Sequence, residues 1–256
     1  MPGDSSRMYQ SGVDEARRQV VYELISGVSG LILATFMWGH VILVGSILTG
    51  ARGFDWLAST LEEYYIAQPT VAVIIVLFLL HAVTASRKIP ARLRERRTVL
   101  KLSRDLRTRW RQQAATGEAS ASEPHLDSML WIWQVRTGVI IIVLASFHLG
   151  LLFLDVLTPM FGEVRGIESA TTLARVSGGL WLPYAILLVC VEFHASVGLY
   201  RLTIKWGAGK LLSRAVLHVI ERIIFWVVLG LGFVTLLVLS GVMPPPLEFL
   251  LPDGPL

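Results

Sequence analysis

The chain has 256 residues, of which 54% are hydrophobic and 16% charged, and its formal net charge is +4. A soluble domain has about a quarter of its residues charged, so this composition, with a mean hydropathy of +0.60, excludes an ordinary soluble protein. Most of the basic excess lies in one loop, which membrane topology explains better than nucleic-acid binding does, and the single cysteine, Cys190, excludes an intrachain disulfide.

Five apolar runs are long enough to cross a bilayer as helices, for which about 20 apolar residues are needed. The first 20 residues contain no apolar run like that of a cleaved signal peptide, so we predict that they form a cytoplasmic segment ahead of helix I. The predicted helices I to V cover approximately residues 21–48, 69–86, 130–157, 180–204 and 216–242.

Basic residues between the spans predict the orientation of the chain. Eleven lysines and arginines lie in the loop after helix II, at residues 87–111, and three more lie between helices IV and V. The positive-inside rule puts both loops and the N-terminus in the cytoplasm. Residues 243–256 contain neither lysine nor arginine and are predicted to form a periplasmic tail. The prediction is therefore an all-α integral membrane protein with a single domain over residues 1–256.

Four of the six histidines lie deep within predicted spans, one on each of helices I to IV. Polar residues inside a membrane are costly, and they usually face the bundle interior for a functional reason. A single buried histidine could serve an interhelical hydrogen bond, but one on each of four successive helices favours a cofactor site. These four are His40, His81, His148 and His194, whereas His125 and His218 are predicted to lie at the membrane interface.

Depth sorts the four histidines into two pairs. A helix rises ~1.5 Å per residue, and successive spans run in opposite directions. His40 and His148 then fall at an outer level, and His81 and His194 at an inner level. Two facing imidazoles are what a six-coordinate haem iron requires, whereas zinc would need further ligands close by. The pattern predicts two haems, one above the other, within the four-helix bundle I–IV, with helix V beside it.

Further charged residues lie where charge is costly or close to the edge of a span. Arg136 lies about a turn and a half inside helix III, and a haem propionate is its leading candidate partner. Glu192 lies deep in helix IV, two residues before His194, and is a candidate proton carrier. Glu62 and Glu63 lie at the outer membrane edge, where a solvated acid is the ordinary alternative.

Several of these residues lie in distinctive segments. The most specific is VEFHASVGLYRLTIKWG, at residues 191–207, and FMWGH, LLHAVTASRKIP and LWIWQVRTG…SFH contain the other three histidines. Together they resemble the dihaem cytochrome b subunit of quinol:fumarate reductases and related succinate:quinone oxidoreductases, over all five helices. The resemblance implies that His81 and His194 bind a proximal b haem and that His40 and His148 bind a distal one.

The resemblance also implies roles for other polar residues. Glu62 matches the glutamate that accepts a proton at the quinol site, and Glu192 matches a glutamate of a transmembrane proton route. Trp131 and Lys205 match positions that anchor haem propionates, and Ser26 lies near another such position with different flanking residues. Lys205 has an ordinary alternative as an interfacial cation.

The function implied by the resemblance is that of an anchor in the bacterial inner membrane that serves anaerobic respiration. Such a subunit joins a flavoprotein and an iron–sulfur protein to the cytoplasmic face, oxidises menaquinol near the periplasmic side and passes electrons through two b haems for fumarate reduction. The same helices could serve a succinate:quinone reductase (succinate dehydrogenase) in reverse, and a dimer of heterotrimers is one possible assembly. The chain has no dinucleotide fingerprint and no cysteine cluster, so dicarboxylate chemistry is expected in partner subunits.

Two other classes of membrane protein are compatible with buried histidines. The cytochrome b subunit of a hydrogenase or formate dehydrogenase places its haem ligands differently, with two on one helix. A transporter that relays protons through histidines would be expected to have broken helices and repeated halves. Neither pattern is evident in the sequence.

Overall fold

The computed structural model describes the backbone at residues 3–87, 89–90, 94, 126–157, 167–207 and 213–251. In these ranges the regular structure is helical. The helices with assigned ends are α1 (Gly3–Gly45), α2 (Ala51–Glu63), α3 (Ala67–Ser86), α4 (Leu126–Leu157), α5 (Ser169–Arg175), α6 (Trp181–Lys205) and α7 (Arg214–Leu239). His125 and most of the basic loop after helix II lie outside the described residues.

Five stretches of the described chain are long and apolar enough to cross a membrane. They are Val13–Thr49, Ala67–Ser86, Leu130–Leu152, Ser169–Lys205 and Ala215–Leu239. Many of their large apolar side chains point outward and are exposed in the isolated chain, as lipid-facing residues are. The predicted all-α fold with five membrane helices is confirmed, whereas the sidedness of the termini stays a prediction.

The long helices pack as two layers. Helix α1 packs along α3, and α4 packs along α6, while α7 lies against both α6 and α1. Small residues allow the backbones to approach: a Cβ added at Gly27 of α1 would come within 2.9 Å of the Leu202 side chain on α6. The layer α1/α3 therefore faces the layer α4/α6, and the candidate site lies between them.

Two short helices occur in segments that the sequence analysis left as connections. Helix α2 buries Phe54 and Ala58, one turn apart, against Ile47 and Leu239. Helix α5 is joined to α6 through a π-helical segment, Val176–Leu180, in which Gly179 has φ +115°. The fourth membrane span therefore starts earlier than predicted and bends near its outer end.

Candidate functional site

A cavity of about 1720 Å³ runs between the two helix layers, and all four predicted histidines line it. His40 and His81 project from the α1/α3 layer, and His148 and His194 project from the α4/α6 layer. The remaining lining is largely apolar, with few polar groups. An apolar slot with opposed imidazoles is typical of a cofactor site in a helix bundle.

The histidines meet across the slot in two pairs. The ring centres of His40 and His148 are 6.4 Å apart, and those of His81 and His194 are 6.3 Å apart. A metal–imidazole nitrogen bond is about 2.0–2.1 Å long and the ring centre lies about 1.1 Å beyond the nitrogen, so trans ligands on one metal have ring centres about 6.2–6.4 Å apart. Each pair therefore has the spacing of two axial ligands on a single metal ion.

Hydrogen bonds fix the ring nitrogen that each inner histidine offers. Nδ1 of His81 donates to the Ser26 carbonyl oxygen at 3.0 Å, and Nδ1 of His194 donates to the Gln134 carbonyl oxygen at 2.9 Å. A carbonyl oxygen only accepts, so Nδ1 carries the hydrogen in both rings and Nε2 is left for a metal. Metal-binding histidines usually have such a partner on the other ring nitrogen.

The outer pair is held differently. Nδ1 of His148 lies 3.1 Å from the Tyr184 hydroxyl, and the two rings make an edge-on contact. His40 stacks on Phe36, one turn earlier on α1, with ring centres 5.7 Å apart. An aromatic stack and a phenol hydroxyl thus orient this pair, where backbone carbonyls orient the inner one.

Two glycines make room for the inner rings. A Cβ at Gly30 would lie 2.8 Å from Cε1 of His81, and a Cβ at Gly138 would lie 3.0 Å from Cε1 of His194. Each glycine lies on the helix that neighbours the histidine in its own layer, α1 beside α3 and α4 beside α6. The absence of a side chain at these two positions therefore gives the imidazoles space.

The same spacing separates the two pairs on three helices. On each of these helices a residue at the inner level and a residue at the outer level are ten positions apart. The inner and outer residues are Gly30 and His40 on α1, Gly138 and His148 on α4, and His194 and Tyr184 on α6. At ~1.5 Å per residue the levels are ~15 Å apart along the bundle.

The residues predicted to hold propionates have different positions. Ser26, Trp131 and Lys205 line the inner end of the cavity, and Lys205 forms an ion pair with Glu23. Arg136 does not line the cavity: its side chain is exposed, and its guanidinium lies 5.3 Å from the centre of the Trp133 ring. The predicted propionate role of Arg136 therefore stays a prediction, which its exposed position outside the cavity lining does not favour.

The predicted carboxylates also separate. Glu62 lines the outer mouth of the cavity, where its Oε1 accepts a hydrogen bond of 2.7 Å from the Ile167 amide. Glu63 is exposed, outside the cavity lining. Glu192 is 2% exposed and lines the cavity between the levels, two residues before His194 and eight after Tyr184.

Several residues of the cavity were missed in the sequence analysis. Arg175 is 5% exposed, lines the cavity near His148 and interacts with the Tyr184 hydroxyl. At the inner end, Nη1 of Arg201 donates a 2.7 Å hydrogen bond to Oε1 of Gln134. No pattern in the sequence indicated that Arg175 is buried, because this residue lies in the predicted connection before helix IV.

Five apolar helices and two pairs of facing, half-buried histidines define a polytopic membrane protein of the cytochrome b type. Comparison with known proteins narrows this class. The family model described as "Succinate dehydrogenase/Fumarate reductase transmembrane subunit" matches residues 111–239. The chain therefore belongs to the family of succinate dehydrogenase/fumarate reductase transmembrane subunits, and it is a multi-pass protein of the bacterial inner membrane.

Relatives with curated names agree with the family. Proteins of two Helicobacter pylori strains, each named fumarate reductase cytochrome b subunit, are 33% identical to this chain over 220 residues, which are 82% of the chain and 76% of each relative. The protein of the same name from Wolinella succinogenes is 33% identical over 187 residues, which are 70% of this chain and 64% of that protein.

Proposed function

We propose that this chain is a dihaem, quinol-oxidising membrane anchor of a fumarate reductase. The observation that carries the proposal is the pair of imidazole couples, each with ring centres 6.3–6.4 Å apart across one apolar slot. Haem b is the group that such a bis-imidazole site accepts in a cytochrome b, and when bound it supplies one-electron transfer. The relatives' name, fumarate reductase cytochrome b subunit, supports the direction towards fumarate.

In this proposal the four histidines would hold the two haems. His81 and His194 would hold the proximal haem, since their Nδ1 hydrogens are bonded to carbonyl oxygens and Nε2 is left to bind iron. His40 and His148 hold the distal haem. A haem held by two histidines would supply electron transfer rather than bind a further ligand at iron.

Polar residues at the two ends of the slot would hold propionates. At the inner end Ser26, Trp131 and Lys205 line the cavity, and Lys205 supplies a cation already paired with Glu23. At the outer end Arg175 supplies a buried cation close to His148. A guanidinium or an ammonium beside a buried carboxylate offsets much of the free-energy cost of removing that carboxylate from water.

Glu62 is the proposed base for quinol oxidation. Menaquinol loses two protons with its two electrons, so a base must stand beside its hydroxyl with access to water. Glu62 lies at the outer mouth of the cavity, and its hydrogen bond to the Ile167 amide holds one carboxylate oxygen in place. The other oxygen is then available to accept a proton from a quinol at the mouth.

The predicted topology relates the two histidine pairs to the two sides of the membrane. With the basic loops in the cytoplasm, the inner pair lies on the cytoplasmic side, beneath which a flavoprotein and an iron–sulfur subunit would dock. A succinate:quinone reductase would use the same residues in reverse. Glu192, buried between the levels, is the proposed proton carrier that accompanies electrons inward.

Haem counting in histidine variants tests this function. His40→Ala and His148→Ala should each remove one haem, and His81→Ala and His194→Ala should each remove the other, as measured by reduced-minus-oxidised absorbance of the purified complex. His218→Ala is the matched control, because His218 stacks on Tyr200 near the start of α7 and does not line the large cavity. Retention of both haems in all four variants would contradict the proposal.

A further inference from the structure

Helix α5 begins on a carboxylate from another helix. Its own preceding residue, Glu168, makes no side-chain capping hydrogen bond. Instead Asp55 of α2 accepts two: its Oδ1 lies 2.7 Å from the Ser169 amide nitrogen, and its Oδ2 lies 2.8 Å from the Ser169 hydroxyl. A carboxylate at a helix N-terminus satisfies free amide hydrogens and complements the helix dipole. Asp55 therefore acts as the cap of a helix that lies 114 residues away in sequence.

Helix α2 holds the same segment at a second point. Glu62 lies seven residues after Asp55, two helical turns along nearly the same face, and accepts the hydrogen bond from the Ile167 amide. Phe54, next to Asp55, and Ala58, between the two contacts, are fully buried in the apolar cluster at this end of the protein. The start of α5 is thus attached to α2 by two carboxylates, one of which faces the cavity mouth.

The other end of α5 carries the buried cation of the outer site. Arg175 is the last residue of α5, six residues after Ser169, which is itself 3% exposed. Arg175 interacts with the Tyr184 hydroxyl, which lies 3.1 Å from Nδ1 of His148. Because a short helix moves nearly as a rigid body, the place at which Asp55 holds Ser169 determines where Arg175 lies.

We propose that Asp55 is a positioning residue of the outer histidine pair: by capping α5 it fixes Arg175 beside Tyr184 and His148, and so sets the reduction potential of the haem held there. The proposal rests on the proposed function, in which His40 and His148 bind a haem. A buried cation near a haem stabilises the form with the additional electron, so Arg175 raises this potential. Loss of the cap lets Arg175 move and lowers it.

A merely structural cap would behave differently. It would change the stability of the whole protein and leave both potentials where they are. If Asp55 acts through Arg175, its removal changes one potential only, and the change disappears when Arg175 is already absent. A double-mutant cycle separates the two cases, because residues that act through one another are not additive.

The test is a redox titration of both haems, followed by absorbance, in the purified full complex. The variants are Asp55→Ala, Arg175→Gln and the double variant. Ser213→Ala is the matched control, because Ser213 caps α7 by accepting a hydrogen bond from the Val216 amide, away from the outer site. We expect Asp55→Ala and Arg175→Gln each to lower the potential of the distal haem alone, the double variant to match Arg175→Gln, and the control to match the wild type.

Two outcomes would overturn the proposal. In the first, the reduction potential of the distal haem in Asp55→Ala equals that of the wild type. In the second, the shift of this potential in the double variant equals the sum of the shifts in Asp55→Ala and Arg175→Gln. If Asp55→Ala does not assemble, Asp55→Asn and Ser169→Ala replace it, since each keeps part of the cap; a smaller downward shift supports the proposal, and no shift in either overturns it. Absence of a haem that depends on His40 and His148 in the wild-type complex would instead contradict the proposed function.

Discussion

The imidazole rings of the inner pair are oriented by the backbone of neighbouring helices. The Ser26 carbonyl oxygen accepts a hydrogen bond from Nδ1 of His81, although Ser26 lies within the continuous helix α1. The Ser29 hydroxyl lies 3.2 Å from the same nitrogen. Thr137 is placed similarly beside His194, at 3.5 Å. These contacts require the rings to lie close to α1 and α4, which is possible only where those helices have no Cβ.

Gly30 gives a direct test of this close approach. A Cβ there would lie 2.8 Å from Cε1 of His81, so Gly30→Ala must displace the ring, at a cost of about 1–3 kcal/mol and roughly a 5- to 150-fold loss of haem affinity. We expect the proximal haem to be depleted and the distal one retained, as measured by pyridine haemochrome and difference spectra. Gly230→Ala on α7 is the control, because nothing lies within 4 Å of its Cβ position and it does not line the cavity. Full proximal occupancy in Gly30→Ala would show that the ring does not need this space.

At the scale of single residues, the sequence predicts some positions well and others badly. Each histidine was visible because a polar residue in an apolar run has a clear signal, and their levels followed from helix rise alone. The exposure of Arg136 was not predicted: its guanidinium lies over the Trp133 ring, outside the cavity lining. The contacts of Tyr184 and Gln134 with the histidines could not be predicted from the sequence, since aromatic and amide residues also occur in membrane helices that bind no cofactor.

Two of the connections between the long helices contain short helices, α2 and α5. Helix α2 was predictable in outline, because Phe54, Ala58 and Leu61 have helical spacing, but its partner was not. The contact between Asp55 and Ser169 joins residues 114 positions apart, and no local pattern in either segment encodes it. The bend before α6 has a physical cause in Pro183, which lacks an amide hydrogen and whose ring clashes with the carbonyl four residues earlier, at Gly179.

Gly179 tests the importance of that bend. With φ at +115°, it occupies a region that residues with a side chain avoid, at a cost of about 1–2 kcal/mol. We expect Gly179→Ala to lower the thermal unfolding temperature of the detergent-purified protein, followed by circular dichroism, and to release the distal haem first on heating. Gly178→Ala is the adjacent control, because a Cβ at either glycine would meet nothing within 4 Å but only Gly179 of the two has a positive φ. Equal unfolding temperatures for the two variants would mean that the bend does not depend on this glycine.

For the whole molecule, the important feature is that each histidine pair joins the two helix layers. Since α1 packs on α3 and α4 on α6, the histidines, as the proposed haem ligands, contribute contacts between layers where the cavity leaves few side-chain contacts. The sequence predicted the two levels but not which helices are neighbours, because helix-to-helix packing depends on side chains from distant segments. The resemblance to a known family supplied the same pairing independently.

Charge movement across the membrane is also a property of the whole molecule. In the proposed orientation, with the outer site periplasmic and the partner subunits cytoplasmic, each electron carried inward from menaquinol would move against a potential worth ~2.3 kcal/mol per 100 mV. A proton carried in parallel would cancel that cost. Glu192 lies along the path, ~3 Å of helix rise from His194 and ~12 Å from Tyr184, and it is almost fully buried in the cavity lining.

Glu192→Gln separates electron transfer from proton transfer. The amide has the shape of the acid and does not carry a proton, so both haems should be retained with normal spectra while fumarate reduction by menaquinol in sealed proteoliposomes falls on the order of 100-fold. Activity with an artificial donor that reduces the partner subunits directly should be unchanged, which shows that the complex is assembled. Cys190→Ser, two residues earlier and also buried, is the control and should keep quinol activity. Wild-type turnover by Glu192→Gln in the sealed vesicles would mean that protons do not cross through this residue, and the electrons would then have to cross the membrane potential uncompensated.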